Sequence, residues 1–131
     1  MSDKSAENDG MIPGALLGPE ADKRLEQMIS HASAVICDNA QPLADLPKSL
    51  ARIAPEAPAL EVTLALASAA NAIQSVLGTG GDSGRRAQGV WRQAAMVAVE
   101  VHYLTVTGLA EPRAADLLRH WAQDGDGPDQ P

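Results

Sequence analysis

A short segment that joins a glycine run to two arginines is the first place where this sequence could do chemistry. The segment follows Gly78-Thr79-Gly80-Gly81 and consists of Ser83, Gly84, Arg85 and Arg86. Free backbone N–H groups at the start of a helix attract anions, and arginines add positive charge. The phosphate-loop motif is absent, because five residues separate Gly78 from Gly84 and no Lys-Ser/Thr pair follows. The segment therefore predicts a generic anion site.

The serine of this segment has the neighbours of a catalytic serine. Gly81-Asp82-Ser83-Gly84 is a sequence found around the nucleophile of chymotrypsin-type proteases. That chemistry also needs a histidine base, an orienting carboxylate and a two-barrel β scaffold that assembles them. A chain of 131 residues with a helical composition does not supply that scaffold. The preferred interpretation is a loop followed by a helix that Asp82 or Ser83 caps.

The spacing of the histidines and the cysteine does not favour metal binding or thiol chemistry. His31 and Cys37 are six residues apart, which separates them by about 240° around a helix. Glu100 and His102 are two residues apart and point about 160° away from each other on a helix. Cys37 lies at an expected helix C-terminus, where a thiolate is disfavoured. The sequence thus predicts no metal, cofactor or catalytic residue, and an enzyme is the least favoured class.

Composition indicates a small helical protein with acidic ends. Apolar residues make up 45% of the chain, Phe is absent, and the aromatic residues are Trp91, Trp121 and Tyr103. Ala is abundant and favours helices, whereas strands favour β-branched and aromatic residues. The net charge is −7, of which residues 1–10 carry −2 and residues 124–131 carry −3. Such an acidic chain makes nucleic acid an unexpected partner.

The ends of the chain differ from its middle. We expect a flexible segment over 1–14, a helical domain over 15–123 and a disordered acidic tail over 124–131, because polar ends bury too little apolar surface to offset the entropy of ordering them. One cysteine forms no intramolecular disulfide, and residues 1–10 lack a signal-peptide pattern, so we expect a cytoplasmic protein. The uncharged run Val62 to Gly81 is rich in Ala, Ser and Gly. This composition favours a buried helix over a membrane span.

Apolar periodicity and helix punctuation predict an all-α bundle of four main helices plus a short helix in a Pro-rich connector. The first helix begins at Pro19 and is expected to end near Asp38. The connector, residues 40–58, has four prolines and admits only a short helix opened by Pro47. The three remaining helices are expected over 58–77, from Asp82 or Ser83 to Gly108, and from Glu111 to about residue 123.

Two segments leave the secondary structure open. Residues 60–66 and 97–103 both alternate with period two, which is also the pattern of a half-buried strand. The Ala-rich residues on either side continue the helical period without a turn signal, and two strands alone form a marginal sheet. Helix is therefore preferred for both segments, with strand as the alternative.

The long helix beginning near Ser83 has more apolar surface than one neighbour can cover. Its main stripe consists of Val90, Ala94, Val97, Val101 and Leu104, and a second stripe consists of Ala95, Val99 and Val106. Gln93 is assigned to the polar face. Nearly complete burial is expected for Ile29, Leu66, Ile73, Val97 and Leu118. We expect the second stripe, Ala95, Val99 and Val106, to be an interface with another chain.

The sequence thus predicts a small protein–protein interaction module, either a homo-oligomer or an adaptor, that binds itself or another protein through apolar helix faces. The alternative is a sensor of a small molecule or an anion, with a pocket between helices near the Gly78–Gly84 loop. A flat apolar patch would favour the first function. A large apolar pocket beside ionisable groups would favour the second.

Overall fold

The computed structural model describes residues 18–123 and shows an all-α fold over that range. The expected tails at 1–14 and 124–131 lie outside the described residues. The helices are α1 Pro19–Ile36, α2 Leu46–Ile53, α3 Leu60–Leu77, α4 Asp82–Val106 and α5 Ala114–Trp121. The predicted bundle of four main helices and a short one is confirmed in outline, except that α5 is as short as α2.

The two segments that also fitted strands are helical. Residues 60–66 open α3, and residues 97–103 belong to α4. The Ala-rich helical period therefore outweighs the local alternation of apolar and polar residues.

Two expectations about helix ends are wrong. Neither Asp82 nor Ser83 caps α4, because the N-cap is Gly81 and no side chain bonds the free N–H groups. The last helix begins at Ala114 rather than at Glu111, because Ala114 N–H donates to Ala57 O at 2.8 Å and Ala59 N–H donates to Pro112 O at 2.9 Å. These two bonds keep residues 112–113 extended against the segment before α3, as an isolated antiparallel bridge between Pro58 and Arg113.

Helices α3 and α4 form an antiparallel hairpin at the centre of the bundle. α1 packs along α3, while α2 lies against α1, α3 and α5. Hydrogen bonds of Gln74 fix the register of the hairpin: its Nε2 donates to Gly84 O and to Gln88 Oε1, both at 3.2 Å. Its Oε1 accepts the Nε1–H of Trp91 at 2.9 Å. The beginning of α3 thus lies beside the end of α4.

Small residues and a few large aliphatic ones form the core. The fully buried large side chains are Met28, Ile36, Leu46, Leu50, Val62, Leu66, Val90 and Leu117. The expected burial of Leu66 and Val97 is confirmed. The expectation is wrong for Ile29, Ile73 and Leu118, which are half-buried and pack against the core from its edge. Neighbours on a helix point about 100° apart, so Met28 and Leu117 take the buried positions instead.

The turn between α3 and α4 depends on one glycine inside a helix. A Cβ on Gly84 would stand 2.8 Å from Thr79 Cα, and closer still to Gly78 O. Both neighbours are backbone atoms, so a side chain here cannot be accommodated by rotating another side chain. Gly84 therefore serves the fold, by letting the loop backbone lie against the first turn of α4.

We expect truncation of Leu117 to Ala to cost about 2–5 kcal/mol of unfolding free energy, because it removes a fully buried side chain and leaves a cavity. The same change at its neighbour Leu118 should cost clearly less, because that side chain is only half-buried. Urea unfolding of both variants, followed by circular dichroism, measures the difference. Equal losses would mean that the orientation of α5 is misassigned.

The glycines of α4 offer a second, matched test. We expect Gly84→Ala to destabilise the protein, because the new methyl group collides with backbone. Gly89 has only Leu43 Cδ1 near its Cβ position, at 3.9 Å. Gly89→Ala should therefore stabilise the protein by about 0.5–1 kcal/mol, the usual gain from removing a mid-helix glycine. Thermal unfolding of the two variants should show melting temperatures shifted in opposite directions. A stable Gly84→Ala protein would contradict the close approach.

Candidate functional site

The expected anion site lies in an open depression lined by Asn39, Leu43, Asp82, Arg85 and Arg86. Arg85 donates to Asp82 Oδ1 at 2.7 Å and to Gly80 O at 2.6 Å. The other carboxylate oxygen of Asp82 accepts a bond from Asn39 Nδ2 at 3.2 Å. A carboxylate thus already occupies the start of α4, and it is bonded to the nearest guanidinium. Binding of an external anion would have to displace it.

Arg86 has a structural task that links α4 to the end of α1. Its Nε donates to Ile36 O at 2.8 Å, and its Nη2 donates to Val35 O at 2.8 Å and to Gln41 O at 2.7 Å. The last carbonyls of a helix have no intrahelical donors and carry partial negative charge. Arg86 therefore caps α1 from another helix. The anion site stays a prediction. Both of its arginines, Arg85 and Arg86, already donate hydrogen bonds to protein acceptors.

The histidines and the cysteine do not form a metal centre among the described residues. Cys37 is exposed, and His120 lies with its ring 5.7 Å from that of Tyr103. Within residues 18–123, no three side chains of His, Cys, Asp or Glu come together as a metal ion would require. Ser83 has no hydrogen bond to a histidine among the described side chains.

A partly buried ion pair between α1 and α3 was not predicted from the sequence. Glu61 is buried, and its two oxygens accept Arg24 Nε at 2.9 Å and Arg24 Nη2 at 3.1 Å. The hydrogen bond to Glu61 raises the pKa of Arg24 above its usual value, against the desolvation that lowers it. Such a bidentate pair fixes the relative position of two helices. In the sequence, Glu61 is visible only as an acidic residue in the first turn of α3. The helix dipole favours an acidic residue there in any case, so the sequence does not indicate an ion pair.

The expected interface residues lie on the surface. Ala95 is exposed, and Val99 and Val106 are 68% and 63% exposed. On α3, Leu64 is exposed at the level of Ala95 and Val99 in the hairpin register, whereas exposed Leu60 lines a separate cleft with Val101, Pro112 and Arg113. We call the surface made by Leu64, Ala95, Val99 and Val106 the outer face of the hairpin.

Within residues 18–123, one helix, α3, is long and apolar enough to cross a membrane, judged by length and composition alone. A third of it is buried inside the bundle. Its first turn also carries the buried Glu61 in the ion pair described above.

A cleft between α4 and α5 combines an apolar lining with a few polar groups. It has a volume of about 270 Å³ and is lined by Ala44, Pro47, Lys48, Gln93, Met96, Val97, Glu100 and Trp121. We call it the α4–α5 cleft. The assignment of Gln93 to a polar face is wrong, because the residue is half-buried and its Nε2 donates to Leu43 O at 2.7 Å. Its Oε1 is buried and accepts no hydrogen bond from the described residues.

The capping role of Arg86 predicts a difference between two adjacent arginines. We expect Arg86→Met to lower the unfolding free energy by about 1–3 kcal/mol, because three carbonyls lose a charged donor. Arg85→Met should change stability much less, since both partners of its ion pair are two-thirds exposed and such pairs contribute little. Denaturant unfolding of both variants measures this. A larger loss at Arg85 would contradict the assignment.

Fold alone does not determine function, which depends on the chemistry of particular surfaces. Two surfaces stand out, the apolar outer face of the hairpin and the α4–α5 cleft. Comparison with protein-family models, with curated proteins and with solved structures found no match to this chain.

Proposed function

We propose that this chain is an interaction module that associates with a second copy of itself through the outer face of the hairpin. The observation that carries this proposal is the exposure of the second apolar stripe of α4 together with Leu64 of α3. Val99 and Val106 are more than 60% exposed, and Leu64 is 43% exposed. Exposed apolar patches often mark protein interfaces.

The neighbouring helices explain why this face has no cover among the described residues. α1 lies along α3, and its contact with α4 is slight. Apart from Gly84, which the loop covers, the buried positions of α4 are Ala87, Val90, Ala94, Val97 and Leu104, all about 100° or more around the helix from Val99 and Val106. The hairpin therefore forms one layer of the bundle, and the other helices form a second layer that covers only one side of the hairpin.

The composition of the outer face suits close contact between two identical helices. Ala95 is small, so backbones can approach at that level, whereas Val99 and Val106, about one and three turns further along α4, supply apolar area. A twofold dimer places the same patch on both subunits, so its apolar residues meet their own copies, with exposed His102 between Val99 and Val106. Self-association therefore needs no second protein with a matching charge pattern.

The remaining functional expectations stay proposals of the same kind. An adaptor would use the same outer face for a different protein. A cytoplasmic location and the absence of nucleic-acid and membrane partners are proposed from the sequence. The sensor with a pocket near Gly78–Gly84 has less support, because the depression there is open and its arginines are bonded to protein acceptors.

We expect the wild-type protein to sediment as a dimer at high concentration and Val99→Glu to sediment as a monomer with unchanged helical content. The new carboxylate would have to lose its water in the seam, which costs several kcal/mol per buried ion. Sedimentation velocity over a concentration series, with circular dichroism of each sample, measures both quantities.

Val76→Glu is the matched control for this substitution. Val76 is 80% exposed on α3, about 18 Å along the helix axis from Leu64. It should leave the dimer intact. Gln93 is unsuitable as a control, because its side chain is bonded to Leu43 O. A wild-type protein that stays monomeric at high concentration contradicts self-association, and equal dissociation by both substitutions contradicts the location of the seam.

A further inference from the structure

The α4–α5 cleft is lined mainly by apolar and aromatic side chains, and Gln93 and Glu100 add polar groups. Ala44 and Pro47 come from the connector and α2, Met96 and Val97 from α4, and Trp121 from the end of α5. Its volume of about 270 Å³ is just below that of pockets for drug-sized molecules. The space therefore suits a ligand of fragment size.

Hydrogen bonds hold the two main polar groups of the cleft in place. Trp121 Nε1–H donates to Glu100 Oε1 at 2.8 Å, so the carboxylate and the indole ring fix each other. Gln93 Nε2 donates one of its two hydrogens to Leu43 O at 2.7 Å. The carboxylate of Glu100 and the Oε1 of Gln93 are the acceptor atoms of the cleft.

The acceptors differ in accessibility. Glu100 is half-buried and carries the negative charge of the cleft. Gln93 Oε1 is buried and has no partner among residues 18–123, and an unpaired buried acceptor costs free energy. A ligand reaches it only after a small side-chain shift. Met96 borders both residues in the cleft lining and is 63% exposed, and methionine side chains adapt readily.

We propose that the α4–α5 cleft binds a small organic ammonium ion that carries an apolar group. The ammonium would donate to the carboxylate of Glu100, and with the side-chain shift to Gln93 Oε1. Charged hydrogen bonds of this type are stronger than neutral ones. The indole of Trp121, held beside Glu100, adds apolar contact area for the ligand. The apolar group fits against Pro47, Met96 and Val97.

Lys48 sets a limit on the affinity. It also lines the cleft, has an interaction of its own, and opposes a ligand cation by like charge. The ligand's positive charge must therefore be placed at the Glu100 side of the cleft. This arrangement selects a molecule with one terminal ammonium group over one with charge at both ends.

Titration of the full-length protein with benzylamine, followed by ¹H–¹⁵N NMR, tests this proposal. We expect saturable shifts of the Trp121 indole N–H and of the Gln93 side-chain amide. Benzyl alcohol has the same ring without the charge and should bind about tenfold more weakly, the effect of one charge-assisted hydrogen bond.

Two carboxylate variants locate the ligand. Glu100→Gln keeps an oxygen that can accept the Trp121 bond but removes the charge, and should lower benzylamine affinity about tenfold. Glu111→Gln changes an exposed carboxylate in a separate cleft beside Pro58 and Arg113, and should leave the affinity unchanged.

The proposal is wrong if the wild-type protein binds benzylamine and benzyl alcohol with equal affinity. It is also wrong if the NMR shifts map to the cleft at Pro58, or if neither probe saturates. Equal loss in the two carboxylate variants would show non-specific charge attraction only. Binding is expected whether or not the chain dimerises, so a monomeric wild-type protein does not affect this test.

Discussion

The close approach of backbone at Gly84 is the constraint on which the rest of the structure depends. It brings the 78–81 loop against the first turn of α4, and so determines how α3 and α4 lie side by side. The bonds of Gln74 to Gly84 and Trp91 then hold the register. Arg86, in the same turn of α4, reaches the last carbonyls of α1. One turn of helix therefore positions three of the five described helices.

The Ala-rich core follows from this close packing. Alanines take many of the buried positions of the hairpin, Ala65, Ala69 and Ala70 on α3 and Ala87 and Ala94 on α4, and their small side chains let neighbouring helices approach closely. Each Ala contributes little buried area, so larger residues such as Met28, Leu50 and Leu117 supply much of the rest. The ion pair between Arg24 and Glu61 adds a directional contact where apolar packing alone would allow α1 to slide along α3.

Sequence reasoning predicted the elements of this fold better than their orientation. Gly18-Pro19, the prolines of the connector and the 78–81 glycines are local signals, and local signals identify where helices begin and end. The side of a helix that is buried depends on which helices pack against it. That explains why Leu118 was preferred to Leu117, and why Gln93 was assigned to the polar face. Arg86 bonds to Ile36 O, and Glu61 bonds to Arg24, each across more than 35 residues. No periodicity in the sequence indicates such distant partners.

The stripe with Ala95, Val99 and Val106 was predictable because an excess of apolar residues is visible in the sequence itself. The α4–α5 cleft was not, since its lining comes from three separate parts of the chain. The two surfaces adjoin on α4, because Met96 in the cleft and Val99 on the outer face are three residues apart and so lie on neighbouring positions of the helix. A second subunit over Val99 would restrict the Met96 side chain, whose adaptability helps a ligand to enter. By thermodynamic linkage, a ligand in the cleft would then change the dimerisation constant by the same factor that dimerisation changes its affinity.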